Sequence, residues 1–430
     1  MVSKDKFHFK PQHKTFLEMK SLYKIVIVGR PNDGKSSVFA NFLGDDEVAV
    51  SPIPGETKHM QPREINLGKC NVEVIDTPGL QHPETVFFSF KDYVAAGRNP
   101  ANAFVDEFKD PRYAHDVEIM KALSGADICM LVVNADNFVG HTQKCLLDTF
   151  SMLGAGVAVL GLVNRKDDDF IGEWRDNFAS RAMECFEFDA FKTKFSDCAR
   201  LFDEICSASS LRVRSDLSEV LRALKANRTS LWRSNIDAAA GEILNSLKDL
   251  MNLRSSLKMS NFSITNGESS RLRDDLSLAV SRFVSGFRGE ILRRFKYSGI
   301  KISAPDFKLA DAQMRIILPN VIRRLWSRLP FARKPDALCA PNPHSDLPEI
   351  FARDAVSFVS SIASFSYAKS ATKEFEMDLS KCGSPAAFIN AEKLARFSSR
   401  AANGDESDSF FAMQNALREE LADVIMLSAK

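Results

Sequence analysis

No apolar run in this 430-residue chain reaches the length of about eighteen residues that a membrane span requires. The longest candidate, Ala155–Val163, is half that length, so a soluble chain is expected, or one that meets a membrane only from its surface. Paired cysteine is missing too. Cys70, Cys129, Cys145, Cys185, Cys198, Cys206, Cys339 and Cys382 are scattered without Cys-x-x-Cys spacing. That argues against a zinc site and against a disulfide framework, and for reduced thiols in a cytoplasmic setting. The Lys- and His-rich stretch 1–20 has none of the apolar core of a signal peptide, and no internal repeat is visible. Net charge is nearly absent at +1, but this is an average. Residues 211–340 hold 24 Lys+Arg against 12 Asp+Glu, which leaves the remainder acidic. A basic middle segment of this kind can face anionic lipid or nucleic acid.

With 45% apolar and 26% charged residues the composition is that of a folded chain, and its length calls for two or three domains. From about 22 to 210, short β-branched runs alternate with helical stretches. Lys24–Val28, Val72–Ile75, Ile128–Val133 and Val157–Val163 read as fully buried strands, with Cys185–Phe188 as a candidate last one. Strands alternating with helices predict a mostly parallel sheet covered on both faces. Beyond residue 211 the texture changes. Leu211–Leu257, Ser270–Tyr297, Leu309–Leu329, Leu347–Phe375 and Phe411–Leu427 have mainly helical periodicity, with connectors at Asn266-Gly267, Ser303–Pro305, the Pro-rich Lys334–Pro348 and Asn403-Gly404. The expected organisation is an N-terminal extension (1–21), an α/β nucleotide-binding domain (22–210) and an all-α C-terminal region (211–430), with a candidate subdivision near 335–348.

Gly29-Arg30-Pro31-Asn32-Asp33-Gly34-Lys35-Ser36 matches Gly-x-x-x-x-Gly-Lys-Ser/Thr at every fixed position, directly after a strand and opening a helix, and Ser37 continues it. Its glycines let backbone N–H groups curl around a phosphate. Lys35 supplies a charge to the outer phosphates, and the Ser36 hydroxyl can complete a Mg²⁺ shell. About forty residues on, a second strand ends in Asp76-Thr77-Pro78-Gly79. From the C-terminal end of a parallel strand Asp76 can reach Mg²⁺ through water, and the Gly79 N–H can sense a γ-phosphate. Alone, Asp-Thr-Pro-Gly is also a plain turn; its distance from the phosphate loop makes it more.

Gly-Arg-Pro-Asn before Gly-Lys-Ser-Ser, then Pro54-Gly55-Glu56-Thr57-Lys58, then Asp-Thr-Pro-Gly-Leu together resemble the Era/EngA/TrmE group of translation-factor-class P-loop GTPases. The resemblance implies a Ras-like domain in which Thr57 closes on Mg²⁺ and the γ-phosphate as part of switch I. Glu56 stands where that group more often has Thr. It also implies that Asn164-Arg165-Lys166-Asp167 is the guanine-reading loop, Asn164 bonding the base edge and Asp167 its N1–H and amino group, with the Arg165 stem in place of the usual Lys. Asp168 and Asp169 leave the register open, and Asn134-Ala135-Asp136 lacks the spacing. No match to the group's final Ser-Ala-Lys element is clear, although Ser207-Ala208 is a candidate. Guanine is favoured over adenine.

The residue after Gly79 is Leu80, where Ras-like proteins carry a water-positioning Gln, so slow turnover is expected. In the resembling GTPases a phosphate-loop Asn helps hold a K⁺ ion; Asn32 occupies that place, with a loop residue bonding its own backbone as the plainer reading. Lys35, Asn32, Thr57 and Gly79 are therefore the candidate catalytic residues, and Ser36, Thr57 and Asp76 the candidate metal residues. A second resemblance rests on Asp-Pro-Arg-Tyr (110–113), Ser-Gly-Ala-Asp (124–127), Phe-Asp-Ala-Phe (188–191) and Leu-Phe-Asp-Glu (201–204). These are similar to a bacterial group of Era-like GTPases with a C-terminal helical domain of unknown function. The chain's end lacks the Gly-rich apolar segment associated with that group.

Arg282–Lys296 and Arg315–Arg333 interleave basic and apolar residues, and Pro319 must kink the second. A helical-bundle element with a solvated basic face is the favoured reading; an anionic membrane surface or RNA are the others. No KH-type Gly-x-x-Gly loop is read in the C-terminal half. The expected function is a cytoplasmic GTP-driven switch or assembly factor acting on a protein partner or on itself. Peripheral contact at the inner face of the membrane is the variant for its location. A dynamin-like mechanoenzyme and a non-catalytic nucleotide-binding module are the alternatives.

Overall fold

The computed structural model describes residues 22–44, 60–153, 157–164, 170–207, 215–258, 265–297, 300–303, 309–317, 336–365, 367, 376–378 and 391–429. Its first half is built on a six-stranded sheet of β1 (Leu22–Val28), β2 (Gln61–Asn66), β3 (Asn71–Asp76), β4 (Ile128–Asn134), β5 (Ala158–Asn164) and β6 (Glu184–Phe188), in the order β2-β3-β1-β4-β5-β6. The four pairings from β3 to β6 are parallel; β2 runs antiparallel to β3 and closes one edge. β2 (Gln-Pro-Arg-Glu-Ile-Asn) is mostly solvent-facing, and its Pro and charges suit an edge that must not recruit another strand.

The buried runs alternate between the two faces of the sheet, as strand pleating requires. Tyr23, Ile25, Ile27, Val72, Val74, Met130, Leu160 and Leu162 face α1 (Lys35–Leu43) and α7 (Phe195–Cys206). Val26, Val28, Ile75, Leu131, Val133 and Val163 face the other way, toward α2 (Pro83–Ala95), α3 (Pro100–Glu107), α4 (Ala114–Leu123), α5 (His141–Ser151) and α6 (Ile171–Ala179). The chain leaves β1 toward β3 on one side and returns to β4 on the other. The crevice at the carboxyl ends of β1, β3 and β4 is thus a topological switch point, where α/β sheets bind ligands.

The C-terminal region is predominantly helical, as its periodicity predicts. It consists of α8 (Ser215–Asn252), α9 (Asn266–Arg294), α10 (Leu347–Ser364), α11 (Ala391–Ala402) and α12 (Asp408–Ala429). α9 starts at a Thr265/Glu268 capping box. The long α8 is the spine against which α7, α10, α11 and α12 pack. To these helices the structure adds small sheets that periodicity did not reveal. β7 (Ser255–Lys258), β9 (Met314–Ile317) and β10 (Asp336–Pro341) form a three-stranded antiparallel sheet in the order β7-β10-β9. β8 (Lys301–Ser303) pairs with β11 (Glu376–Asp378) in parallel. Helical periodicity over 211–257 therefore stops at Asn252, and 314–317, inside a stretch that reads as helix, is strand. Runs of four residues are too short to show a period. The Pro-rich stretch 334–348 holds the central strand β10 where a connector is expected, and Pro341 falls at its end.

The first apolar cluster does not stop at the α/β half of the chain. It runs from the α1/α7 face of the sheet through Leu217, Trp232, Ile243, Phe287, Phe351, Phe397 and Ile425, so the two halves share one core. Val284, Phe287, Ile291 and Phe295 are buried in it, and Arg288 is buried and paired with Asp354 at 2.9 Å. The apolar face of Arg282–Lys296 is thus core, the favoured reading of that stretch. Gly286-Phe287-Arg288-Gly289 has Gly-x-x-Gly spacing but lies inside α9 and makes no loop. Residues 318–333 of the second basic stretch lie outside the described residues. No helix among the described residues is long and apolar enough to cross a membrane.

Candidate functional site

β1 ends at Val28, and the next residues turn sharply under the start of α1. Gly29 has φ 156°, and a Cβ there would stand 2.3 Å from the carbonyl oxygen of Val132 on β4. Gly34 has φ 90°, and a Cβ there would stand 2.1 Å from Asn164 Nδ2. Both positions exclude a side chain, and between them the loop closes on itself. The Arg30 N–H donates to Asp33 Oδ2 at 2.9 Å, and Lys35 Nζ donates to the Arg30 carbonyl at 2.8 Å. Pro31 packs against Gly79, where a Cβ would meet the Pro31 nitrogen at 2.4 Å, and the Leu80 N–H donates to the Gly29 carbonyl at 3.0 Å. The Asp-Thr-Pro-Gly turn is therefore docked on the phosphate loop through backbone. Thr77 Oγ1 secures it by donating to the Ile27 carbonyl at 2.8 Å.

Ser36 Oγ donates to Asp76 Oδ2 at 2.6 Å, so these two candidate metal residues meet. Asp76 is fully buried, and among the described residues its other oxygen, Oδ1, has no hydrogen-bond partner. Burial pushes the Asp76 carboxyl up to about 6, against the Ser36 hydrogen bond, the Lys35 charge and the Thr77 N–H. Asp33 is likewise raised to about 6 by burial, with Lys35 and Arg30 opposing. Burial lowers Lys35, which the charges of Asp76 and Asp33 counter. A half-buried Ser36 hydroxyl against a buried carboxylate, beside a lysine, suits a hard cation carrying phosphate oxygens. The donor set fits Mg²⁺ with a phosphorylated ligand.

Ser37 is buried on α1, while Asn32 is exposed at φ 69°, in the left-handed region. Leu80 is fully buried in the second core cluster. Thr57, Arg165 and Asp167 lie outside the described residues.

Asn164, at the end of β5, is brought to the phosphate loop: its Nδ2 donates to the Asp33 carbonyl at 3.1 Å, and its Oδ1 accepts the Ala190 N–H at 3.2 Å. Ala190 sits in the loop after β6, which Asp189 tightens by accepting the N–H groups of Phe191 and Lys192 at 3.0 Å each. Ser207 lies at the far end of α7 as its C-cap, and Ala208 lies outside the described residues, whereas Asp189-Ala190 directly follows β6. The signal was positional: these residues follow the last parallel strand at its ligand-facing end.

The segment after Gly79 is fastened by α4. The buried Asp116 accepts the Gln81 N–H at 2.8 Å and faces His82 Nδ1 at 2.7 Å, while the Tyr113 ring meets the His82 ring edge-on at 4.8 Å. From the same helix Glu118 accepts the Met60 N–H at 2.9 Å, just before β2. α4 thus anchors both segments that leave the phosphate site.

Residues 24–153 match the family model described as 50S ribosome-binding GTPase. Among curated proteins, GTPase Der of Listeria welshimeri is 25% identical over 205 residues, which covers 45% of this chain and 42% of that protein. GTPase Der of Trichormus variabilis is 30% identical over 172 residues, 39% of this chain and 33% of that one. The chain thus spans less than half the length of the curated relatives it matches. Among solved structures, Era in complex with MgGDPNP and a 16S ribosomal RNA fragment aligns at 18% identity and a TM-score of 0.32, over 43% of this chain and 56% of that one. Era of Aquifex aeolicus bound to GDP·AlF4⁻ aligns at 14% identity and 0.30, over 65% of this chain and 100% of that one. Residues 24–153 are thus similar to the GTPases of this family model and to GTPase Der.

Asp116→Ala removes a buried carboxylate that takes two hydrogen bonds from the 81–82 segment. We expect it to cost about 2 kcal/mol of stability, read as a lower midpoint in urea unfolding. An unchanged midpoint would show that α4 does not hold this segment.

Proposed function

We propose that this chain binds guanine nucleotide with Mg²⁺ and hydrolyses GTP slowly to GDP and phosphate, acting as a molecular switch or assembly factor. The observation that supports this reading most is the meeting of Ser36 Oγ with Asp76 beside Lys35, with Asp76 Oδ1 buried and unpartnered among the described residues. Ser36 and Asp76 would hold Mg²⁺, and Thr57 would join them. The ion would neutralise charge developing on the β- and γ-phosphates. Lys35 would give up the Arg30 carbonyl for phosphate oxygens, and the Gly79 N–H would face the γ-phosphate. Gly29 to Ser37 would cradle the phosphates, and Asn164, Arg165 and Asp167 would read the base. In this reading 1–21 is an extension, 22–210 the GTPase domain and 211–430 the region that answers to it, through self-assembly or a protein partner in the cytoplasm.

Base choice is tested by Asp167→Asn. The variant exchanges an acceptor for a group that can donate, so preference should move from GTP toward XTP in competition binding. A variant that still prefers GTP and ignores XTP would place the base-reading residue elsewhere.

With Leu80 in the core, the missing transition-state charge is proposed to come from a monovalent ion. The exposed Asn32 side chain can offer its carbonyl oxygen to K⁺ beside the phosphates. GTP turnover should then be faster in potassium than in sodium at equal ionic strength, by about tenfold or more. Asn32→Ala should erase that difference and leave Mg²⁺-dependent binding in place. Equal rates in the two salts with Asn32 present would exclude this role.

A further inference from the structure

Asn41 is one turn of α1 beyond the phosphate loop and is 2% exposed. An asparagine there would serve an ordinary helix poorly, since its side chain competes for backbone hydrogen bonds. Here its hydrogen-bonding groups are engaged across three parts of the molecule. Nδ2 donates to the Ser37 carbonyl in its own helix at 3.1 Å and to the Ala190 carbonyl in the loop after β6 at 2.8 Å. Oδ1 accepts the backbone N–H of Tyr367, in the helical region, at 3.1 Å. A single buried amide thus touches α1, the base-side loop and a segment 326 residues away in sequence.

Each end of this link is itself fastened. On the nucleotide side the Ala190 peptide is held twice, its N–H by Asn164 Oδ1 and its carbonyl by Asn41, and Asn164 also holds the Asp33 carbonyl of the phosphate loop. On the helical side Tyr367 stacks on Tyr297 at 4.4 Å, and its hydroxyl donates to the Phe295 carbonyl at 3.1 Å. Trp232 of α8 donates Nε1 to the Ala363 carbonyl at 2.9 Å and stacks on Phe195 of α7 at 4.3 Å. The Arg228 guanidinium reaches the Asn41 carbonyl at 3.4 Å and lies over the Tyr367 ring at 5.1 Å. The hydrogen bonds therefore run without a gap from the phosphate loop through Asn164, Ala190 and Asn41 to Tyr367.

We infer that Asn41 is a positioning residue that ties the loop after β6 to the 347–367 segment, so that occupancy of the proposed guanine site is felt in the helical region. The inference rests on the proposed guanine site. A guanine ring against Asn164 and the Ala190 loop orders the loop, and the buried amide passes that order to the Tyr367 backbone. Phosphate alone, seated on Lys35, reaches the Ala190 loop only at second hand, through the Asp33 carbonyl and Asn164, and so orders it less. The helical region thus distinguishes a chain carrying the whole nucleotide from an empty one, independently of the γ-phosphate contacts at Gly79. Coupling of this kind is typically worth about fivefold or more in an equilibrium constant.

Hydrogen exchange on the full chain tests this directly, with GDP and inorganic pyrophosphate as the two probes, each saturating with Mg²⁺ as checked by calorimetry. In the wild type, GDP should slow amide exchange across 347–367 about fivefold or more, and pyrophosphate should not. In Asn41→Ala, GDP should still bind, more weakly, and the protection of 347–367 should be lost while that around Lys35 is kept. The wild-type arms stand by themselves if the variant does not fold. Equal protection by pyrophosphate would overturn the route through Ala190, and GDP binding without any change over 347–367 would overturn the coupling. A wild-type chain that binds pyrophosphate but no GDP would sink the guanine reading, and this inference with it.

Discussion

Burying Lys35 beside Asp33 and Asp76 is the constraint on which the nucleotide-binding domain depends. Desolvating an ion costs several kcal/mol unless partners take its charge, and here a lysine 6% exposed is set among carboxylates that burial pushes toward the neutral form. Among the described residues its ammonium donates to one carbonyl, that of Arg30. Such an arrangement is maintained because the backbone around it allows no alternative. Gly29 is pressed against β4, Gly79 against Pro31, and the turn after β3 is tied to β1 through Thr77. A buried lysine held between two buried carboxylates, at the ligand-facing end of the parallel strands, marks this crevice as functional.

Around that centre two further assemblies make the state of the site matter elsewhere. On one face of the sheet, α4 holds both strand-flanking segments, Met60 through Glu118 and Gln81 with His82 through Asp116. On the other face, α1 and α7 share a continuous apolar core with the helical region. A nucleotide-dependent movement of the first kind would stay within the nucleotide-binding domain, whereas one at α1 or the loop after β6 would meet α8 and Tyr367 directly. The helical region is thus packed against α1 and α7, on the sheet face opposite the one that carries α4.

The phosphate loop and the Asp-Thr-Pro-Gly turn were legible in the sequence because each follows a buried run at the one end of a parallel strand where ligands bind. Asn164 was legible for the same reason. Ala190 was not, because it acts through its backbone N–H and carbonyl, and no side chain announces such a role. Asn41 looks like any polar residue on a helix until the fold brings Tyr367 to it. In the C-terminal half the helices showed their period, but β7 and β9 are four residues long and Ser-Ser-Leu-Lys or Met-Arg-Ile-Ile carries no usable alternation. The basic stretch 282–296 was ambiguous by composition alone. Packing resolved it, since Val284, Phe287 and Ile291 are spent on the core.

The account rests on Lys35 being a phosphate ligand held in a ready position. Calorimetric titration of GDP with Mg²⁺ into the wild-type chain and into Lys35→Ala measures that claim. Removing the charge-assisted bonds should cost about 1.5–3 kcal/mol, a loss of about tenfold to a hundredfold in affinity or more. Equal affinity of the two proteins for GDP would contradict it.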